Sequence, residues 1–208
     1  MDIAFALAPS EKQLAAITAV GKTYEVTPLG CDAFVFYVSI KNPVSNITLD
    51  DIHGIYSGRI TDWQEIGASE HATIIPLQRN KNSGLQTMLK RIMGDTPIMS
   101  PLKKDRLGDV GDIIYNPALD QYFKETIRFS FRYYAKEMLH SDNIKLLSID
   151  GVAPTRENIA NGTYPFIATA YIITIKERTD NVKKFIDFML SPHGREIVEK
   201  TGYVFHTE

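Results

Sequence analysis

Two long β-rich runs most constrain how this chain can fold: residues 32–40, "DAFVFYVSI", and residues 165–175, "PFIATAYIITI". Both are dominated by β-branched and aromatic residues. Gly30 and Pro43 bracket the first, and a charged stretch over residues 176–180 ends the second. Neither run has an evident pairing partner in the sequence between them. Both therefore read as strands that cross between two lobes, the chain leaving one lobe and later returning to it.

The remaining elements alternate. Residues 3–7 form a short apolar run ending before Pro9, and Ser10 is placed to cap a helix through Ala19, with Gln13 at the capping-box position. Thr48 starts a helix to Tyr56, with Asp50 and Asp51 in the first turn, where the helix dipole favours acids. "TIIPLQ" reads as a strand and residues 83–93 as a helix. "DRLGDVGDIIYN" looks helical, "TIRFSF" extended, "RYYAKEML" helical, and "IKLLSI" a strand closed by Asp150 and Gly151. Residues 181–190 have a helical period, and "SPHGREIVEKTG" is a last helix with proline near its start and glycine past its end. Such alternation predicts an α/β protein with largely parallel sheets. Trp63 reads as a packing anchor and Cys31, in an apolar stretch, as buried.

Composition excludes several function classes. The 208 residues are 44% hydrophobic and 23% charged, with a net charge of −2, so bulk electrostatics favour neither nucleic acid nor an anionic membrane. No window approaches the roughly 20 apolar residues of a spanning helix. "MDIAFALAPSEKQL" lacks the basic start and long apolar core of a secretory signal, so the sequence is either cytosolic or begins downstream of its signal. The five histidines (53, 71, 140, 193 and 206) are far apart, and no CxxC, HExxH, GxSxG or Walker A pattern occurs. These readings point to no metal, no cofactor and no catalytic set. Asn46 and Asn161 match glycosylation acceptors, a pattern frequent by chance.

The stretch with most chemical content is "QRNKNSGLQTMLKRIMGD", residues 78–95. A strand end runs into a helix through a basic turn: Arg79 and Lys81 precede it, Asn82 and Ser83 can cap the helix, and Gly84 allows close approach to the backbone. Free N–H groups and the dipole of a helix start attract anions, and a guanidinium can grip two oxyanion oxygens. The same residues also suit an ordinary capped helix with solvated basic neighbours. Locally, both readings stand. The aromatic–basic cluster at residues 131–134 reads as half-buried packing.

Longer motifs add to this. "NPVSNITLDDIHGIYSGRITDWQEIG" resembles the segment that typifies PstS-like phosphate-binding proteins of ABC transporters, a branch of the type II periplasmic binding-protein fold. "QRNKNSGLQTMLKRIMGD", "FSFRYYAKEM", "NIKLLSIDGVAPTRENIANGTYPF" and "LSPHGREIVEKTGYV" continue the likeness in order, and "DIAFALAPSEKQL" resembles the strand and turn closing the family's first site loop. The resemblance implies a two-lobed α/β fold with two crossing strands: residues 1–35 and 166–208 in lobe 1, and residues 36–165 in lobe 2, which carries the anion loop. It implies a non-enzymatic solute-binding protein that holds inorganic phosphate in the interlobe cleft. Arg79 matches the family's anion-binding arginine, Ser83 and Gly84 match its Ser-Gly, and Asn82 and Leu85 complete the loop. The implied partner is an ABC permease or sensor protein, and the implied location is extracytoplasmic once a signal is removed.

The sequence also departs from the family. Leu85 stands where a hydroxyl residue is common, and Leu7 where an acid or hydroxyl is normal; an acceptor there would favour protonated phosphate over sulfate. A glycine-rich approach to the "SFRYY" text is replaced by "FKETIRFSF", bulky and charged. The chain begins about where the family's third strand would, so the first lobe is expected to be incomplete, with a sheet edge open to self-association. These departures support an alternative reading, a degenerate module acting in protein–protein interaction or sensing.

Overall fold

A computed structural model describes residues 3–7, 11–19, 21–81, 83–102, 120–138 and 142–205. The helix expected from "DRLGDVGDIIYN" lies outside the described residues, as do Ser10 and Asn82. The chain divides into two compact units. One comprises Met1–Asp32, Ile159–Gly162 and Ile167–Glu208, and the other Ala33–Asn158 and Thr163–Phe166.

The first unit is built on strands β1 (Ile3–Leu7), the opening half of β2 (Tyr24–Ser39) and β8 (Ile167–Ile175). β1 lies antiparallel on β8 with Ile3 opposite Thr174 and Leu7 opposite Ala170. Helices α1 (Glu11–Ala19), α4 (Asp180–Leu190) and α5 (Pro192–Lys200) complete it. Its core gathers Leu29, Ile172, Val182, Ile186 and Val198, each adding about 1.5–3 kcal/mol on burial. β2 begins before Gly30, contrary to the expectation that glycine bounds the strand. The reason is a close approach: a Cβ at Gly30 would lie 3.3 Å from both Val198 Cγ1 and the Val204 carbonyl. Next along the strand, Cys31 N–H donates to Val204 O at 2.6 Å, Val204 N–H returns to Cys31 O at 2.9 Å, and the thiol donates to Val204 O at 3.1 Å. Cys31 is fully buried, and burial together with the Asp32 carboxylate pushes its thiol up to about 11.

The second unit carries the closing half of β2, with β3 (Asn46–Ile47), β4 (Ile75–Pro76), β5 (Thr126–Phe131), β6 (Ile144–Leu146) and β7 (Ser148–Ile149). The sheets are mixed rather than largely parallel. β5 and β6 pair antiparallel with β2, whereas β4 pairs parallel with β5 and β3 with β7. Strand–helix alternation constrains which elements follow each other; it does not fix the direction in which a long crossing strand meets its neighbours. The expected strand "IKLLSI" splits at Leu147, whose N–H bonds Phe36 O, because β6 pairs with β2 and β7 with β3. "TIIPLQ" contributes only its two central residues as strand.

Residues directly opposite in an antiparallel pair share a sheet face. Phe34 faces Phe131 and Phe36 faces Phe129; the Phe34 and Phe129 rings stack at 5.2 Å, and Tyr56 of helix α2 (Leu49–Ser57) meets Phe129 edge-on at 5.9 Å. Trp63 is buried and its Nε1–H donates to Glu125 O at 3.2 Å. Tyr37 pairs with Arg128 on the opposite face.

Candidate functional site

β4 ends where the basic turn begins, and helix α3 (Gly84–Met93) starts after it. Leu77 N–H extends the β4–β5 pairing by donating to Ile127 O at 3.0 Å. The turn is then braced from the helix. Buried Gln86 accepts the Arg79 N–H at 2.8 Å through Oε1 and donates to Gln78 Oε1 at 3.3 Å, while Gln78 donates to Met99 O at 2.8 Å. Ser83 N–H closes onto Asn80 O at 2.9 Å. The loop is therefore fixed to α3 by polar bonds.

Ser83 is the N-cap: its extended backbone (φ −75°, ψ 146°) turns the side chain back to accept the Gln86 N–H at 3.1 Å. The first turn contains no acid. Early N–H groups of a helix lack intrahelical acceptors, so with Gln86 N–H taken by Ser83, the N–H groups of Gly84 and Leu85 are the donors at this end. A Cβ on Gly84 would meet nothing within 4 Å, and its φ is not positive. Neither packing nor strain requires glycine there. Arg79 is half-buried and Lys81 exposed.

Arg79, Ser83, Gly84 and Leu85 are thus brought together along the loop and first turn, while Asn82 lies outside the described residues. Leu7, the other departure noted in the sequence, sits at the end of β1 in the first unit, half-buried. Arg132 of the aromatic–basic cluster donates to Pro154 O at 3.0 Å and faces Glu137 at 3.5 Å, a packing role.

Three residues near the loop were not singled out by sequence reasoning: Gln86, Tyr37 and Arg128. Arg128 is 4% exposed, and its guanidinium lies over the Phe123 ring at 4.8 Å from the centroid. Its Nε, Nη1 and Nη2, and the Tyr37 hydroxyl, are buried with no hydrogen-bond partner among the described residues. The two groups act on each other by charge and by a close side-chain approach of hydrogen-bond character, which falls short of a well-formed bond in distance or angle. Burial pushes Arg128 below its ordinary range, opposed by Tyr37 and Tyr122. Burial pushes the Tyr37 hydroxyl up to about 12, against the pull of Arg128 and then of Arg79. An unsatisfied buried donor costs about 1–3 kcal/mol, more when charged. Among the described residues, no group of three or more His, Cys, Asp and Glu side chains is arranged to hold a metal ion.

The chain leaves one α/β unit and later returns to it, and the braced start of α3 follows Arg79 in the second unit. The sequence profile of the PBP superfamily domain matches residues 1–193, and the chain belongs to that family. It is 27% identical over 185 residues to the phosphate-binding protein PstS of Borreliella burgdorferi, covering 86% of this chain and 64% of that protein. Over 176 residues it is also 27% identical to the Bacillus subtilis phosphate-binding protein PstS, covering 83% of this chain and 55% of that protein. The chain therefore spans less than two thirds of the length of these relatives. Among solved structures, a Clostridium perfringens protein described as a phosphate ABC transporter substrate-binding protein, with phosphate bound, matches at TM-score 0.72 and 25% identity, covering 99% of this chain and 79% of that one. The ABC-type phosphate transport receptor of Vibrio cholerae matches at TM-score 0.69 and 21% identity, covering 98% and 80%, and shares the fold.

Proposed function

We propose that this chain is the solute-binding part of an ABC-type phosphate uptake system and holds inorganic phosphate at the start of α3. Arg79 supplies charge, the Ser83 hydroxyl and the N–H groups of Gly84 and Leu85 supply hydrogen bonds, and Asn82 lies within the same loop. The observation that carries this reading is the braced, acid-free N-terminus of α3, with an arginine N–H clamped by Gln86 and a glycine that packing does not demand. Helix-start donors and a guanidinium together favour a tetrahedral oxyanion. The names of the Borreliella and Bacillus relatives agree with it. The protein acts without catalysis, outside the cytoplasm, and delivers phosphate to a permease or reports it to a sensor. Among the described residues, no helix is long and apolar enough to cross a membrane.

Calorimetric titration with phosphate, and with sulfate as control, tests the reading. Saturable binding of phosphate at one site is expected. Silence for both anions would overturn it and turn attention to the interaction-module alternative.

A further inference from the structure

Resting on that reading, we infer that Arg128 is a second cationic ligand of the oxyanion, acting with the Tyr37 hydroxyl. Three observations converge on it. First, the guanidinium is deeply buried and its three nitrogens have no hydrogen-bond partner among the described residues. A buried arginine is ordinarily paired with a carboxylate or with carbonyls, and Arg128 has neither there. Second, the guanidinium carbon lies over the Phe123 ring. The ring balances the charge without taking a hydrogen bond from the N–H groups, which can grip two oxygens of a tetrahedral anion. Third, the Tyr37 hydroxyl is also buried without a partner, directly across the β2–β5 ladder, and it is within electrostatic reach of both Arg128 and Arg79. The hydroxyl therefore marks a place where both arginine charges are felt, and it can donate to an oxygen held there.

Two guanidiniums, a tyrosine hydroxyl and helix-start N–H groups are all donors. Sulfate, which carries no proton, fits such a site, whereas the one proton of dianionic phosphate finds only the Tyr37 oxygen as acceptor. Sulfate is therefore expected to bind at least as tightly as dianionic phosphate, unlike in a site containing a carboxylate acceptor.

The test is titration of the full chain with inorganic phosphate and, separately, sulfate, in the unchanged protein and in Arg128→Met, Arg128→Lys, Tyr37→Phe and Arg79→Ala. Arg128→Met is expected to weaken both anions by about tenfold or more, and a given phosphate concentration should raise its melting temperature less than that of the unchanged protein. Its melting temperature without anion should be no lower than that of the unchanged protein, since methionine removes a buried charge. Arg128→Lys restores part of the affinity as a point charge without the fork. Tyr37→Phe should lower affinity severalfold with the fold intact, which keeps the test decisive if Arg128→Met fails to fold. Unchanged affinity in the Arg128 variants, with loss only in Arg79→Ala, overturns this inference and leaves the loop assignment standing. Loss in the Arg128 variants with Arg79→Ala unaffected overturns a site shared by the two arginines and, with it, the loop assignment. An unchanged protein silent to both anions overturns the phosphate reading and this inference with it.

Discussion

Helices α2 and α3 belong to the same unit, and each begins with a hydroxyl N-cap, yet their starts are chemically opposite. At α2, Thr48 Oγ1 accepts the Asp51 N–H at 3.1 Å and Asp51 Oδ2 accepts the Thr48 N–H at 2.8 Å, a closed capping box. Asp50 adds a second acid, itself paired with Arg59 at 2.9 Å. The donors and dipole of α2 are answered from within the chain. At α3, Ser83 answers one donor, no acid follows, and the nearby side chains are basic. An N-cap by itself thus says only that a helix starts; the charge placed in the first turn decides whether that start is structural or left for an external anion.

The largest effect should come from making α3 resemble α2. Leu85→Glu puts a carboxylate in its first turn; at about 4 Å from a bound anion, like charges repel by roughly 4 kcal/mol at an effective dielectric near 20. Phosphate binding is expected to vanish in calorimetry while the melting temperature holds or rises, and retained binding would end the contrast between the helices. Arg79→Ala comes next, costing about 1.5–3 kcal/mol of binding free energy, the range for a bond to a charged group. Were its affinity unchanged, the arginine would have to be reassigned to packing. Thr48→Ala is the control on the other helix. Urea unfolding should report a loss of about 1 kcal/mol for the removed cap, with phosphate affinity untouched. A change in affinity there would mean that the two starts are coupled.

The sequence revealed these helices because caps are local: Thr48 with Asp51, and Ser83 before Gly84, are contiguous signals read by the backbone within one turn. The positions of Arg79, Ser83, Gly84 and Leu85 followed for the same reason. Strand direction and partner choice were less legible, since the pairing of β2 with β5 and β6 depends on residues about a hundred positions apart. The split of "IKLLSI" at Leu147 likewise records a change of neighbour that no run of apolar residues announces. Gln86 carried no signal: a polar residue in an amphipathic helix ordinarily faces solvent, and only the fold turns this one inward to hold Arg79. Arg128 left a faint trace as a charged, bulky residue in text where the resembling family is glycine-rich. Its partnerless burial became visible only with Tyr37 and Phe123 around it.

The thiol of Cys31 has a further use. Locked between β2 and Val204, it cannot meet a solvent reagent until residues 203–205 detach, and its raised pKa keeps it unreactive at neutral pH. The rate at which an aromatic disulfide reagent labels the native chain therefore reports openings that free Cys31 from Val204, with global unfolding as the slowest route. With one cysteine in the sequence, the colour released per molecule has a single source, so the protein carries its own clock for local opening.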